Sequence, residues 1–483
     1  MKLKEIIYKE EVISYDADEN TEILSISTNP EDVIEGSLLI ITRNEEILLR
    51  LEETAPSAVV CGQKVILPDN IPAIRVENPR IELAKAHYRF EKVDLGSCIL
   101  IGITGTNGKS STAKFISHAL SSLGHKVGLI GTGAISIEGE TITDDRYSMT
   151  TPDPSLLYPT LAKMINNGCG VIVMEVSSHA LALDKVYPLK FDYGLFTNLS
   201  DEHMDFHKDK SSYFNAKKKL LDASKCAIIN IDDPSGRILA NEFRDNSISV
   251  GVIYRGDVYA TNIERLGMDG INYTYHGSNF TFKMRLAIPG IFNVYNSMMA
   301  AAVCIDIGEK PCRVKQSIGL INEIPGRFRT YKSDISVVID YAHTDFAFHS
   351  ILKELYDIKK GNLTVIFGCG GNRDRSKRPR MAEVAEKFCD KIIITTDNPR
   401  SEDPKQIIND VIKGFKESKH ITNEDRKESI RSAILEAKPG EIIAILGKGI
   451  EKYMITERGY ASYDEEKIVN DALKEREDGR TCE

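Results

Sequence analysis

No stretch of about eighteen apolar residues occurs anywhere in the chain, so nothing in it reads as a membrane-spanning helix. The opening residues MKLKEIIYKEEVIS lack the apolar core of a secretory signal, and the expected location is the cytoplasm. Nine cysteines, at 61, 98, 169, 226, 304, 312, 369, 389 and 482, form neither a CxxC pair nor a zinc-binding spacing. Four of them sit in apolar or strand-like contexts, and they read as reduced, mostly buried thiols. There is no basic excess either. With 62 Lys and Arg against 71 Asp and Glu the net charge is −9, which points away from nucleic acid. Internal repeats and low-complexity tracts are absent as well.

What is present is a globular composition over 483 residues, long enough for about three domains. The first 95 residues hold short β-like runs (EILSIST, GSLLIIT, SAVVCG, AIRVEN) between acidic and proline-bearing turns, which predicts a small α/β domain. From 96 to 324, apolar runs such as KVGLIGT, GVIVMEV, DYGLFTN and CAIINID alternate with helix-period segments. That alternation predicts a parallel sheet with helices on its faces. Between Ser247 and Ala287 the pattern shifts to short alternating strands, expected to form an antiparallel insertion or edge. A second α/β alternation, ISVVIDYA, LTVIFGCGG, KIIITTDNP and EIIAILGKG, fills 325 to 483 and reads as a separate open-sheet domain.

The most informative stretch is Ile99 to Ser111, ILIGITGTNGKSS. An apolar strand runs into a glycine-bearing turn and then into a helix, the order expected of a phosphate loop. Gly105 and Gly108, flanking Thr106 and Asn107, leave room for backbone amides to meet a polyphosphate at a helix N-terminus. Lys109 adds a point charge for the outer phosphates, and Ser110 or Ser111 offers a hydroxyl to Mg2+. The run departs from GxxxxGK[ST], because Ile103 stands five positions before Gly108.

Other candidates lie where apolar runs end. Glu175 closes GVIVME and suits a Mg2+ ligand, since Mg2+ takes oxygen donors and shares its shell with nucleotide phosphates. His203, in LSDEHMDFH, is a second candidate ligand or a surface histidine. Lys217 to Lys219 read on their own as a solvated helix face. An inward Lys217 could instead react with CO2 and become an oxygen ligand. In the last domain, Arg373 after a glycine turn, and Asn398 and Arg400 in DNPR, could hold a carboxylate-bearing ligand such as an amino acid, or DNPR could be a proline-bounded turn with an incidental arginine. Asp340, Tyr341 and His343 in IDYAHT could serve the nucleotide, or His343 could be a satisfied loop residue.

Taken together, GITGTNGKSS, TTPDP, MEVSSHAL, TNLSDEHMDFH, YFNAK, GIFNVYN, IPGRFRT, DYAHT, GCGGNRDRSKRP, DNPRSEDP and GKGIE, in this order, resemble the Mur ligases, and most closely the MurE type. The resemblance covers about four fifths of the chain. It implies three domains, for a UDP-sugar, for ATP and for the incoming amino acid, the last Rossmann-like, and an ATP-dependent carboxylate–amine ligation through an acyl phosphate. Mapped motif by motif, Lys109 and Ser110 would hold phosphates. Ser110, Glu175, His203 and a carbamylated Lys217 would serve Mg2+, and Asn293, Arg327 and His343 the nucleotide. Thr150, Thr151, Ser177, Lys185 and, in the first domain, Ser27 would line the path of UDP-N-acetylmuramoyl-dipeptide. Arg373, Asp397, Asn398, Arg400, Gly447 and Glu451 would surround meso-diaminopimelate, because DNPR is the form of the diaminopimelate-adding members. A monomer is implied.

The chain departs from the family pattern at several points. STN at 27 to 29 replaces a DSR-type turn, Lys185 an arginine, Asp345 a proline and Ile450 a histidine. Two other readings stay open: a relative with another acceptor, such as a folylpolyglutamate synthetase or a secondary-metabolism ligase, or a non-catalytic Mur-like subunit.

Overall fold

A computed structural model describes residues 1–42, 56–68, 71–143, 149–200, 206–417 and 420–481. Its architecture is α/β in three domains, each built on its own sheet. The first sheet has five strands, in the order Ser14–Asp16, Ala73–Val76, Ala58–Gly62, Ser37–Ile40 and Ser25–Ser27. Four of them carry the apolar runs legible in the sequence and pair in parallel. The fifth, SYD at Ser14–Asp16, has no such pattern, and it is held as an antiparallel edge against Ala73–Val76.

The helix Pro79–Phe90 ties this sheet to the next domain. It starts at Asn78, whose side chain accepts from the amides of Arg80 and Ile81, with proline in its first turn. Leu83 and Ala86 face the core of the first sheet, whereas Ala84 and Tyr88 face the central domain. There Tyr88 meets Tyr158 edge-on at 6.0 Å.

The central sheet has eleven strands, and its phosphate-loop strand Ile99–Thr104 lies in the middle, between Phe191–Phe196 and Val171–Glu175. Ile99–Thr104 and Val171–Glu175 are almost wholly buried, as expected of central parallel strands covered on both faces. The antiparallel part is smaller than the pattern change at Ser247 predicts. Ser247–Gly251 still pairs in parallel with both neighbours, and the antiparallel edge comprises only Val258–Arg265, Ile271–His276 and Thr281–Leu286. A second antiparallel edge lies at Ala134–Ile137 and Glu140–Thr141.

The third sheet runs Arg329–Lys332, Ser336–Asp340, Ile442–Leu446, Leu363–Phe367, Lys391–Ile394, His420–Thr422, parallel except for the first strand. Helices cover both faces. Ala444 and Leu446 join the core on one side, while Ile443 and Ile445 pack with Ile430, Ile434 and Val469 on the other. Arg265 of the central domain pairs with the buried Glu354 of the third, Nε to Oε1 at 3.0 Å. No helix among the described residues is long and apolar enough to cross a membrane.

Candidate active site

Parallel sheets present ligand sites beyond the carboxyl ends of their strands. Here the ends of the second and third sheets open into one cleft of about 980 Å³, lined by the phosphate loop on one wall and by Arg373, Asn398, Arg400 and Glu451 on the other.

On the first wall the helix begins at Lys109, with Gly108 at its N-cap in the left-handed region (φ 86°). A side chain is excluded from this loop for a reason beyond ligand approach. A Cβ at Gly105 would stand 1.8 Å from Thr197 Oγ1, and one at Gly108 2.8 Å from Asn296 Oδ1. The loop is held from behind: the Asn107 amide donates to Asn198 Oδ1 at 2.9 Å, and Thr197 Oγ1 donates to the Asn107 carbonyl at 2.6 Å. Lys109 Nζ donates to the carbonyls of Gly105 and Thr106 at 3.0 and 2.8 Å.

Of the two serines, Ser110 is the one that faces Glu175, its Oγ 2.9 Å from Oε2; Ser111 is buried. The buried Glu175 carboxylate also accepts from the Thr132 amide at 2.9 Å and the Thr132 hydroxyl at 3.2 Å. Ser110 Oγ and Glu175 Oε2 form a hard-oxygen pair beside the phosphate loop, the donor chemistry that Mg2+ takes when phosphates and water complete its shell. Among the described residues no three His, Cys, Asp or Glu side chains form a metal cluster. His203 lies outside the described residues. Lys217 overturns the solvated-face reading of its lysine run. It is 1% exposed, with Nζ 4.4 Å from the centroid of the Tyr213 ring, and the Tyr213 hydroxyl reaches Thr106 Oγ1 at 3.1 Å. Lys219, two residues on, is exposed.

Arg327 and Ile450 reach from the third domain to the central one. Arg327 Nη2 donates to Ser110 Oγ at 3.0 Å, and its guanidinium lies 4.5 Å from the Tyr341 ring centroid. Asp340 accepts from the amides of Phe328 and Ala342, both at 2.7 Å; burial pushes its carboxyl up, opposed by Arg327 and those two amides. Ile450 meets the central domain at Gly133, where a Cβ would stand 2.3 Å from its Cδ1. His343 lines the cleft with Nδ1 2.8 Å from the Tyr341 carbonyl. The buried Asn293 anchors through Nδ2 to the Pro289 carbonyl at 2.7 Å.

The second wall is made from separate loops. Arg400, in a left-handed backbone conformation (φ 55°), donates through Nη1 to the Gly371 carbonyl at 2.9 Å. Burial lowers its pKa, and the nearby Arg373 guanidinium lowers it further, a cationic pair suited to a carboxylate. Asn398 Nδ2 donates to Glu451 Oε2 at 2.8 Å. Gly447 (φ 117°) passes so close to Asp397 that a Cβ would stand 2.6 Å from Oδ2.

Some expected site residues do not line the cleft. Thr150 does, and its hydroxyl is 3.0 Å from that of Thr132. Thr151 sits behind it, donating to the Glu175 carbonyl at 2.9 Å and accepting from the Ser177 amide at 2.9 Å. Lys185 pairs with Asp153 at 2.6 Å, and Ser27 Oγ donates to the Asn29 carbonyl at 2.8 Å on the edge of the first sheet. The sequence reading missed Thr132, Asn198, Asn296 and Lys448. Of these, Asn296 and Lys448 lie within GIFNVYN and GKGIE, where the spacing to Asn293 and Glu451 was the available signal.

Residues 103–304 match the Mur ligase middle domain, and residues 326–449 the Mur ligase glutamate ligase domain. UDP-N-acetylmuramoyl-L-alanyl-D-glutamate--2,6-diaminopimelate ligase 1 of Clostridium acetobutylicum is 36% identical, covering 98% of this chain and 100% of that protein. The chain belongs to the Mur ligase family. Mur ligases are ATP-dependent ligases, and this one has the same enzymatic class. The corresponding diaminopimelate ligase of Aquifex aeolicus is also 36% identical, covering 93% of this chain and 94% of that protein. Among solved structures, a UDP-N-acetylmuramoyl-L-alanyl-D-glutamate--2,6-diaminopimelate ligase superposes with a TM-score of 0.69 at 24% identity, covering 99% of both chains. Mycobacterium tuberculosis folylpolyglutamate synthase complexed with ADP and AMPPCP superposes with a TM-score of 0.64 at 18% identity, over 77% of this chain and 93% of that one. At those identities the likeness is one of fold.

Proposed function

We propose that this Mur ligase joins meso-diaminopimelate to UDP-N-acetylmuramoyl-L-alanyl-D-glutamate, as the names of its relatives say of them, in peptidoglycan precursor synthesis. The observation that carries the reading is the single cleft with a phosphate loop on one wall and an arginine pair beside Asn398 and Glu451 on the other. Residues 1–95 take the UDP-sugar, 96–324 ATP and 325–483 the amino acid. The enzyme works as a cytoplasmic monomer.

The amides of the loop from Gly105 to Ser111, with Lys109, hold the triphosphate, and Asn293, Arg327 and His343 contact the nucleotide. The dipeptide carboxylate attacks the γ-phosphorus and ADP leaves. Arg327, already on Ser110, is placed to offset charge on the transferring group. The diaminopimelate amine, having lost a proton, then attacks the acyl carbon and phosphate leaves. Ile450, which meets the central domain at Gly133, helps keep water from the acyl phosphate. Ser110 and Glu175, with His203 and Lys217 as a carbamate, would hold Mg2+, which when bound supplies charge neutralisation on the phosphates. The burial of Lys217 beside Tyr213, whose hydroxyl reaches Thr106 of the phosphate loop, supports that role. Thr150, Thr151, Ser177, Lys185 and Ser27 serve the nucleotide-sugar peptide. Arg373 and Arg400 take the distal carboxylate and Glu451 the distal ammonium, with Asp397, Asn398 and Gly447 shaping the pocket.

Mass spectrometry of the product from UDP-N-acetylmuramoyl-dipeptide, ATP and an equimolar mixture of diaminopimelate, lysine and ornithine tests the reading. The expected product carries one diaminopimelate. A product carrying lysine or ornithine overturns the amino-acid assignment, and product formation only with a folate or another acceptor overturns the first substrate.

A further inference from the structure

The turn after the strand Ile442–Leu446 carries a lysine with no exposed surface, Lys448, between two glycines in the left-handed region. A buried cation is costly unless paired, and the ionic and hydrogen-bond partners of this one among the described residues belong to the amino-acid wall, with the Tyr463 ring centroid 5.5 Å from its Nζ. Its Nζ donates to Asn398 Oδ1 at 2.9 Å and to Glu451 Oε2 at 3.1 Å, and lies 3.9 Å from Asp397 Oδ1. Asn398 and Glu451 line the cleft, whereas Lys448 does not.

The hydrogen bonds leave little freedom. Asn398 Oδ1 accepts from Lys448 and also from the Ile455 amide at 2.9 Å, so both its lone pairs are engaged. The amide must then present its NH2 to Glu451, and it does, at 2.8 Å to Oε2. Glu451 Oε2 thus takes two donors, while Oε1 has only the Tyr341 hydroxyl at 3.4 Å. Burial raises the Tyr341 pKa, so that hydroxyl keeps its proton and can donate.

We propose that Lys448 is a positioning residue for the incoming amino acid: it fixes the Asn398 amide and turns Glu451 Oε1 toward the ligand. By pairing with Glu451 it also leaves Arg373, Arg400 and Lys448 against Asp397 and Glu451, so the pocket keeps a positive excess. A pocket with that excess favours an amino acid ending in a carboxylate over one ending in a bare ammonium. The inference rests on the amino-acid assignment made above and assigns the cause of its discrimination to a residue that does not line the cleft.

Steady-state kinetics of the wild type, Lys448→Met, Glu451→Gln and the double variant test it, with diaminopimelate or lysine as the amine. Lys448→Met is expected to raise the KM for diaminopimelate by roughly tenfold, the effect of losing a charge-assisted hydrogen bond. The KM for ATP should stay within about twofold, and the preference for diaminopimelate over lysine should fall. The double variant should raise the diaminopimelate KM above that of Glu451→Gln alone, through the Asn398 amide, but by less than the two single effects combined. An unchanged diaminopimelate KM, an equal rise in both KM values, or additive losses in the double variant overturns the inference. Should Lys448→Met not fold, the double variant, which lacks both charges, decides by the same comparison with Glu451→Gln. A wild type that turns over diaminopimelate beside such negative results leaves the proposed function standing. A wild type that makes no diaminopimelate product overturns both.

Discussion

In the proposed reading the two walls of the cleft solve the same problem, holding an anion at the end of a parallel sheet, in different ways. The phosphate wall uses one unbroken run, Gly105 to Ser111, whose backbone amides and helix N-terminus come with the chain's own geometry. The amino-acid wall uses side chains from loops at Gly370–Arg373, Asp397–Arg400 and Gly447–Glu451, brought together only by the third sheet. A site made of consecutive backbone binds a generic feature, a polyphosphate. A site made of scattered side chains binds a particular shape and charge, and it must be held by further contacts such as that of Lys448.

That contrast can be broken most severely at Lys109. Lys109→Ala is expected to lower product formation by about a thousandfold or more, with diaminopimelate binding by calorimetry retained. Near-normal ligation would remove the loop from the mechanism. Arg400→Ala should act on the other wall alone, raising the diaminopimelate KM by roughly 30- to 100-fold for the lost bidentate pair, with the KM for ATP little changed. Equal effects on both substrates would show that the walls are not separate. Ile450→Ala tests the contact between them. With the side chain at Gly133 gone, water should reach the acyl phosphate, and phosphate release per ligated product should rise about two- to fivefold. Strict coupling would show that Ile450 does not seal the cleft.

The smallest expected effect lies away from both walls, at His87. It is buried in the helix that joins the first two domains, and burial brings its pKa down to about 4. Its folded pKa is below the unfolded value near 6.5, so the unfolded chain binds the extra proton first. The stability it contributes is therefore present above about pH 6.5 and lost as pH falls toward 4, by on the order of 1–3 kcal/mol. Melting temperatures between pH 7 and 4.5 should fall less in His87→Leu than in the wild type. Parallel curves would show that the ring titrates normally.

The phosphate loop and the strands were readable because their signals are local: an apolar run, two glycines and a lysine within thirteen residues, or period-two and continuous apolar patterns. The edge strand Ser14–Asp16 was not, since an edge needs only a neighbour's free backbone groups and no pattern of its own. Lys217 and Lys448 were misjudged or missed for a shared reason. A lysine in sequence reads as solvated, and only its neighbours in space reveal that it is enclosed.

The chain by itself determined the element order, the three-part division, the phosphate loop and the family resemblance, because each rests on residues adjacent in sequence. Tertiary structure alone decided which serine meets Glu175, that Arg327 reaches Ser110 from another domain, and that a buried lysine orients Asn398 and Glu451. Those depend on distances between side chains up to 217 positions apart, which no local periodicity encodes.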